Sequence, residues 1–287
     1  MLSENTVFSW YPDIAGDERG RVHVAWETSF LVPGASPNEP QRRVISIMHR
    51  NWDGAAWSAP NDLISPLNLP SGHIYRVGIA AGPSDRVYLT FNWDGARIAQ
   101  APAEMSWSAG AWSAPALLTN HGAAIYMSDV AVDARGGVHA VWDQLVPTDR
   151  QAESTEGGER EFLSDLFYAR SIDGGRIWKP SLNLSNTPVG CTREQIEIDP
   201  AGTIWVSWDE GWDRLTEKGK QESGWLVHST DGGETWSAPV VFDQPEKTNV
   251  QLATASDGRG TVLAVWRATT RDEIFYSVSR DGARTWT

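Results

Sequence analysis

The chain has 287 residues, a formal net charge of −13 and one cysteine, Cys191. That charge argues against nucleic acid, whose phosphates it would repel, and a single thiol rules out an internal disulfide framework. No run of about 18 apolar residues is present to span a membrane. The opening MLSENTVFSWYPD lacks the basic segment and apolar core of a secretory signal.

Sixteen Trp, 26 Gly and 16 Pro suit an all-β chain with many turns and bulky packing between sheets. Five segments pair an alternating strand with a terminal aromatic: RVHVAW at 21–26, RVYLTF at 86–91, GVHAVW at 137–142, TIWVSW at 203–208 and TVLAVW at 261–266. The aromatics Trp26, Phe91, Trp142, Trp208 and Trp266 are 65, 51, 66 and 58 residues apart. A later set, Trp57, Trp112, Trp178, Trp236 and Trp286, keeps a similar spacing. Such a period is too long for one hairpin and fits four strands per repeat.

Each repeat runs through the same elements. A first strand (DIAGD, VGIAAG, DVAVD, QIEID, LATAS) turns through a short Asp/Gly loop into the aromatic strand. A loop of variable length follows, then a third strand, a tight turn, and a fourth strand opening with WSAP or WKP. The units are expected at about 11–65, 73–119, 125–185, 193–243 and 248–287, as one propeller domain whose last blade is incomplete. Repeated four-stranded sheets are propeller blades, so the expected fold is an all-β propeller, with about five blades of a six-bladed ring.

The turn before the fourth strand reads SIDGGRIW at 171–178, STDGGETW at 229–236 and SRDGARTW at 279–286. Glycines supply positive φ, the Asp carboxylate accepts nearby amides, and the Trp is an apolar cap. These turns resemble the Asp-box, or BNR, repeat of the sialidase-like propeller superfamily, and the likeness extends over almost the whole chain. The resemblance implies a propeller with the turns at its rim, away from the active centre. It implies carbohydrate as ligand, an exo-glycosidase or a non-catalytic glycan- or protein-binding propeller, and an extracellular or cell-surface location. A sialidase site needs three arginines for the substrate carboxylate, an acid/base Asp, and a Tyr nucleophile assisted by Glu. The Arg-Ile-Pro signature of that site is absent.

The repeat itself places a candidate site. Counting back 11 residues from Val22, Val87, Val138, Ile204 and Val262 lands on Tyr11, Arg76, Met127, Arg193 and Gln251. Two residues on are Asp13, Gly78, Asp129, Gln195 and Ala253, expected on the same strand face. The ends of the second strands, Glu27, Asn92, Asp143, Asp209 and Arg267, belong at the same channel mouth, as do the loops 27–43, 143–165 and 209–224. Two readings follow. Either this polar ring only hydrates the mouth and links blades by ion pairs, or it binds an anion or sugar. In the second, Arg76, Arg193 and Arg267 grip a carboxylate bidentately, with Gln251, Asp143 and Asp209 as further binding residues. Asp129 is the candidate proton donor, Tyr11 or Tyr126 the group that stacks on or attacks a sugar, and Glu194 a further catalytic candidate.

His23 and His139 share a repeat position with Tyr88, Trp205 and Leu263, which reads as a packing slot rather than a metal site. The turn aspartates lack the D-x-D-x-D spacing of a calcium loop. Cys191 reads as a small buried or loop thiol. No cofactor is implied.

Overall fold

The computed structural model describes residues 8–33, 40–65, 74–96, 99–108, 110–118, 125–147, 162–213, 216–242, 248–269 and 273–287. Two compact units make up the chain, Met1–Gly136 and Gly137–Thr287. In the first unit, β1 (Phe8–Gly16), β2 (Val22–Val32), β3 (Arg42–Trp52) and β4 (Asn61–Asp62) form an antiparallel four-stranded sheet in sequence order. Blade two repeats it with β5 (Ile74–Gly82), β6 (Arg86–Ala96) and β7 (Ala99–Ser108). Its fourth position is shared by two short pieces, β8 (Ala111–Trp112) and β9 (Ala116–Leu117), both paired with β7. Strand β10 (Ser128–Val132) packs on β5 and β6.

The second unit continues with β11 (Val138–Pro147), β12 (Phe162–Ser171) and β13 (Leu182–Asn183). A full blade follows, β14 (Cys191–Ile198), β15 (Ile204–Asp213), β16 (Lys218–Ser229) and β17 (Val240–Phe242), and then β18 (Asn249–Ser256), β19 (Val262–Ala268) and β20 (Glu273–Ser279). Recurring four-stranded meanders of this kind are propeller blades, and the fold is an all-β propeller. Among the described residues, no helix is long and apolar enough to cross a membrane.

The second strands β2, β11 and β15 are buried on both faces, which is why they read as near-continuous apolar runs, whereas β19 alternates buried and exposed positions. In the first unit, Ala25, Ile47, Val77, Ile79, Leu89 and Phe91 form one core between the two blades. Next to it the buried imidazoles are fixed by their partners. Trp112 can only donate, so His49 accepts at Nδ1 (3.4 Å) and passes its Nε2–H to His23 Nδ1 at 3.0 Å; His23 Nε2 then donates to Asp17 at 3.3 Å. Burial pushes His49 from 6.5 down to about 3, so both rings are neutral packing groups. His139, at the equivalent position, is also buried and bonds the Tyr168 hydroxyl at 2.7 Å, whereas Leu263 is exposed. Among the described residues, no group of three His, Cys, Asp or Glu side chains is arranged to hold a metal ion. Cys191 is fully buried, and burial raises its thiol pKa well above the usual range.

The three Ser-x-Asp turns close with the same bonds. Ser229 Oγ donates to Asp231 at 2.8 Å and accepts from the Gly233 amide at 2.9 Å, while Asp231 accepts the amides of Glu234 and Thr235 at 3.1 and 2.9 Å. Ser171–Asp173 and Ser279–Asp281 repeat this pattern. The tryptophan after the turn reaches the preceding blade: Trp236 meets Tyr168 edge-on at 4.9 Å, and Trp112 meets His49 at 5.1 Å.

Three expectations change. The segments 27–43, 143–165 and 209–224 are not simple loops, because strand pairing continues past the aromatic to Val32, Pro147 and Asp213. Residues 34–39, 148–161 and 214–215, within those segments, lie outside the described residues. The fourth strands are broken rather than continuous: Trp57 and Trp112 and the amides of Ser58, Ser113, Lys179 and Ser237 already pair with the third strand, Pro60, Pro180 and Pro239 have no amide to donate, and pairing resumes at Asn61, Leu182 and Val240. Finally, period-two alternation fails through residues 11–13, for the reason given next.

Candidate functional site

Each complete first strand carries a β-bulge at the position found by counting back 11 residues. Between Trp10 and Asp13, two residues of β1 oppose the single residue Trp26 of β2. The same shift falls between Tyr75 and Gly78 opposite Phe91, between Thr192 and Gln195 opposite Trp208, and between Val250 and Ala253 opposite Trp266. Thus Tyr11 and Asp13 do not share a face; Trp10 and Asp13 do. The first bulged residue has positive φ in all four: Tyr11 (46°), Arg76 (49°), Arg193 (57°) and Gln251 (60°). Glycine normally fills such a site, and a left-handed pose costs any other residue about 1–2 kcal/mol. Four non-glycine side chains are held there at that cost. Met127, the fifth in the count, instead precedes β10.

Acids from the neighbouring blade hold two of these bulges. The Arg76 amide bonds to Glu27, and the Gln251 amide donates to Asp209 at 2.9 Å. Burial raises Glu27 from 4.5 to about 7 and also raises Asp209. Asp13 plays a related part, accepting the Ile79 amide at 2.8 Å, with burial again raising its pKa. Asp129 lies so close to Gly78 that a Cβ there would stand 2.7 Å from its Oδ1, so only glycine fits.

In the first unit the bulges bring Tyr11, Arg76, Tyr126 and Met127 together. The Arg76 guanidinium lies 4.5 Å from the ring centroids of both Tyr11 and Tyr126. It donates to the Tyr126 hydroxyl at 2.7 Å and to Met127 Sδ at 3.1 Å. No carboxylate oxygen lies within 4 Å of it among the described residues. Tyr11 is 44% exposed, and alongside it Trp10 (47%) and Phe8 (39%) are also open to solvent. Phe8 stacks on Trp10 at 5.0 Å, and Arg43 lies over Phe8 at 4.9 Å. The sequence reading passed over Phe8, Trp10 and Arg43; the signal was the F-x-W alternation just before Tyr11.

The second unit treats its arginine differently. Arg193 Nη1 bonds Asp209, whose side chain is fully buried, at 2.7 Å, and Glu222 at 3.5 Å. Its charge is therefore already answered. Glu194 and Asp143 are buried, and both act on the Cys191 thiol together with Asp165 and Glu210. Burial carries Glu210 to about 7 although Trp208 donates to it at 2.5 Å. Gln251 and Arg267 are exposed; Arg267 pairs in register with Val250, one residue before the bulge.

The chain shares its fold with carbohydrate-active propellers. An ulvan lyase, from a new polysaccharide lyase family, superposes with a TM-score of 0.59 at 14% identity over 96% of this chain and 68% of its own. A Dyadobacter fermentans protein of unknown function gives 0.60 at 12% over 99% and 82%. A leech intramolecular trans-sialidase gives 0.55 at 11%, over 96% of this chain and 58% of its own length. Neither a protein-family model nor a curated protein matches the sequence.

Proposed function

We propose that the protein recognises a carbohydrate carrying a carboxylate, with Arg76 as the residue that takes the acid. The observation that carries this reading is the state of Arg76. It is braced between Tyr11 and Tyr126, partly open to solvent, and without an ion-pair partner within 4 Å among the described residues. A guanidinium fixed in plane offers paired donors that suit a carboxylate, and tyrosine faces suit the apolar side of a sugar ring. Solved propellers of this fold support carbohydrate as the ligand class, one of them bound to a GlcA(1-4)Rha3S oligosaccharide.

The finer reading is an exo-acting sialidase-like hydrolase in which Tyr11 attacks, Asp129 donates the proton and Arg76 holds the substrate carboxylate. A second reading, binding without turnover, is favoured by the ion pairs that occupy Arg193 and by the burial of Glu194. One experiment separates them. Titration with sialic acid and with galacturonic acid, alongside turnover of a fluorogenic sialoside, is expected to show binding that Arg76→Ala weakens about tenfold or more, the scale of a charged hydrogen-bond pair. Turnover lost in Tyr11→Phe and Asp129→Asn supports the hydrolase; binding without turnover supports the second reading. Neither binding nor turnover would sink both.

A further inference from the structure

We infer that the ligand is an anionic oligosaccharide lying along β1, rather than a single sugar, and that Trp10, Phe8 and Arg43 form its second subsite. This rests on Arg76 being the acid-binding residue of the first subsite. From Arg43 the contacts run without a break: Arg43 over Phe8 at 4.9 Å, Phe8 stacked on Trp10 at 5.0 Å, Trp10 to Tyr11 at 6.4 Å, and Tyr11 against Arg76 at 4.5 Å. Residues 8 to 11 alone cover roughly 10 Å at the usual strand rise, more than one sugar ring occupies. The three aromatics are between 39% and 47% exposed, at the edge of the sheet order and away from the core cluster of the unit.

Charge narrows the occupant. The chain as a whole carries −13, yet two arginines stand along this strip with no carboxylate oxygen within 4 Å among the described residues; Asp13 is spent on backbone amides, and Glu27, bonded to the Arg76 amide, acts on that guanidinium from farther off. A neutral glycan would leave both guanidinium groups without an anion in direct contact, and an apolar peptide would also desolvate them. A chain of sugars with repeated acidic groups satisfies cation and aromatic together, each ring face on an aromatic and each acid at a guanidinium. The Trp10 and Tyr11 rings stand 6.4 Å apart across the start of the bulge, which joins the two ends of the strip.

The test compares galacturonic acid, tetragalacturonate and neutral maltotetraose by calorimetric titration against the parent, Arg76→Ala, Trp10→Ala and Arg43→Ala. Tetragalacturonate is expected to bind about tenfold or more tighter than the monomer, and Trp10→Ala and Arg43→Ala to bring that tetramer-to-monomer ratio down to near one. Thermal melting of each variant checks the fold, and the exposure of Trp10 and Arg43 keeps that cost small. A tetramer no tighter than the monomer, or a gain that survives both substitutions, overturns the second subsite and leaves Arg76 standing. Equal binding of maltotetraose overturns the anionic part. Monomer binding unchanged in Arg76→Ala overturns the first subsite and with it the extension.

Discussion

The side chains at the four bulges set stability against function one residue at a time. Gln251 is exposed and holds φ at 60°. Gln251→Gly is therefore expected to melt at or above the parent, the relief of strain offsetting the extra freedom of the unfolded chain. Gln251→Val, whose branched Cβ tolerates the left-handed region worst, should lose about 1–2 kcal/mol; denaturant titration distinguishes the two. The arginines also part company. Arg193→Ala strips a buried acid of its cation and should cost about 3 kcal/mol, whereas Arg76→Ala removes the Tyr126 hydrogen bond and two cation–π contacts but no ion pair within 4 Å, and should cost about 1–2 kcal/mol. A loss of activity in Arg193→Ala alone thus says little about substrate. The 11-residue count picked out Tyr11, Arg76, Arg193 and Gln251 from sequence, because strand lengths repeat. Their backbone pose was not legible: a bulge normally announces itself by glycine, and none stands there. Nor was it legible that Asp209 spends its carboxylate on amides and on Arg193, since burial of an acid depends on the next blade and leaves no mark in its own strand.

Among the turns, identical letters meet different surroundings. Gly233 and Ala283 occupy the same place, both with positive φ (85° and 68°). A Cβ on Gly233 would lie 1.9 Å from the Tyr168 hydroxyl, which is itself bonded to His139. Gly233→Ala is accordingly expected to cost about 2–3 kcal/mol by overpacking and strain, while Ala283→Gly should stay within about 1 kcal/mol. Ser229→Ala, which leaves a buried amide without its acceptor, falls between them at about 1–2 kcal/mol. The turns were readable because three copies share Ser, Asp and Trp at fixed spacing. The length of the aromatic strands was not. Charged and polar residues past Trp142 and Trp208 look like loop by composition, yet β11 and β15 carry pairing onward because Asp143, Asp209 and Glu210 are buried against neighbouring elements.

For the molecule as a whole, acids and imidazoles pull stability in opposite directions with pH. Burial raises Glu27, Glu197 and Glu210 from 4.5 to about 7. Their contribution is complete below about 4.5 and is lost as pH climbs through 7, because the folded chain holds protons the unfolded one has released. Burial lowers His23, His49 and His228 from 6.5, so their contribution is complete above that value and falls away on acidification. The two trends oppose each other between pH 4.5 and 7. Glu210→Gln unmasks them: its melting temperature relative to the parent should rise steadily across that window and level off above it, whereas a flat difference would mean Glu210 titrates normally. The bulges have one more consequence. Tyrosine, arginine and glutamine already stand in the same left-handed seat without any change in the surrounding framework. Each blade therefore behaves as a socket with an exchangeable fitting, and the affinity of this propeller can be retuned by swapping what is plugged in while the wheel that holds it stays as it is.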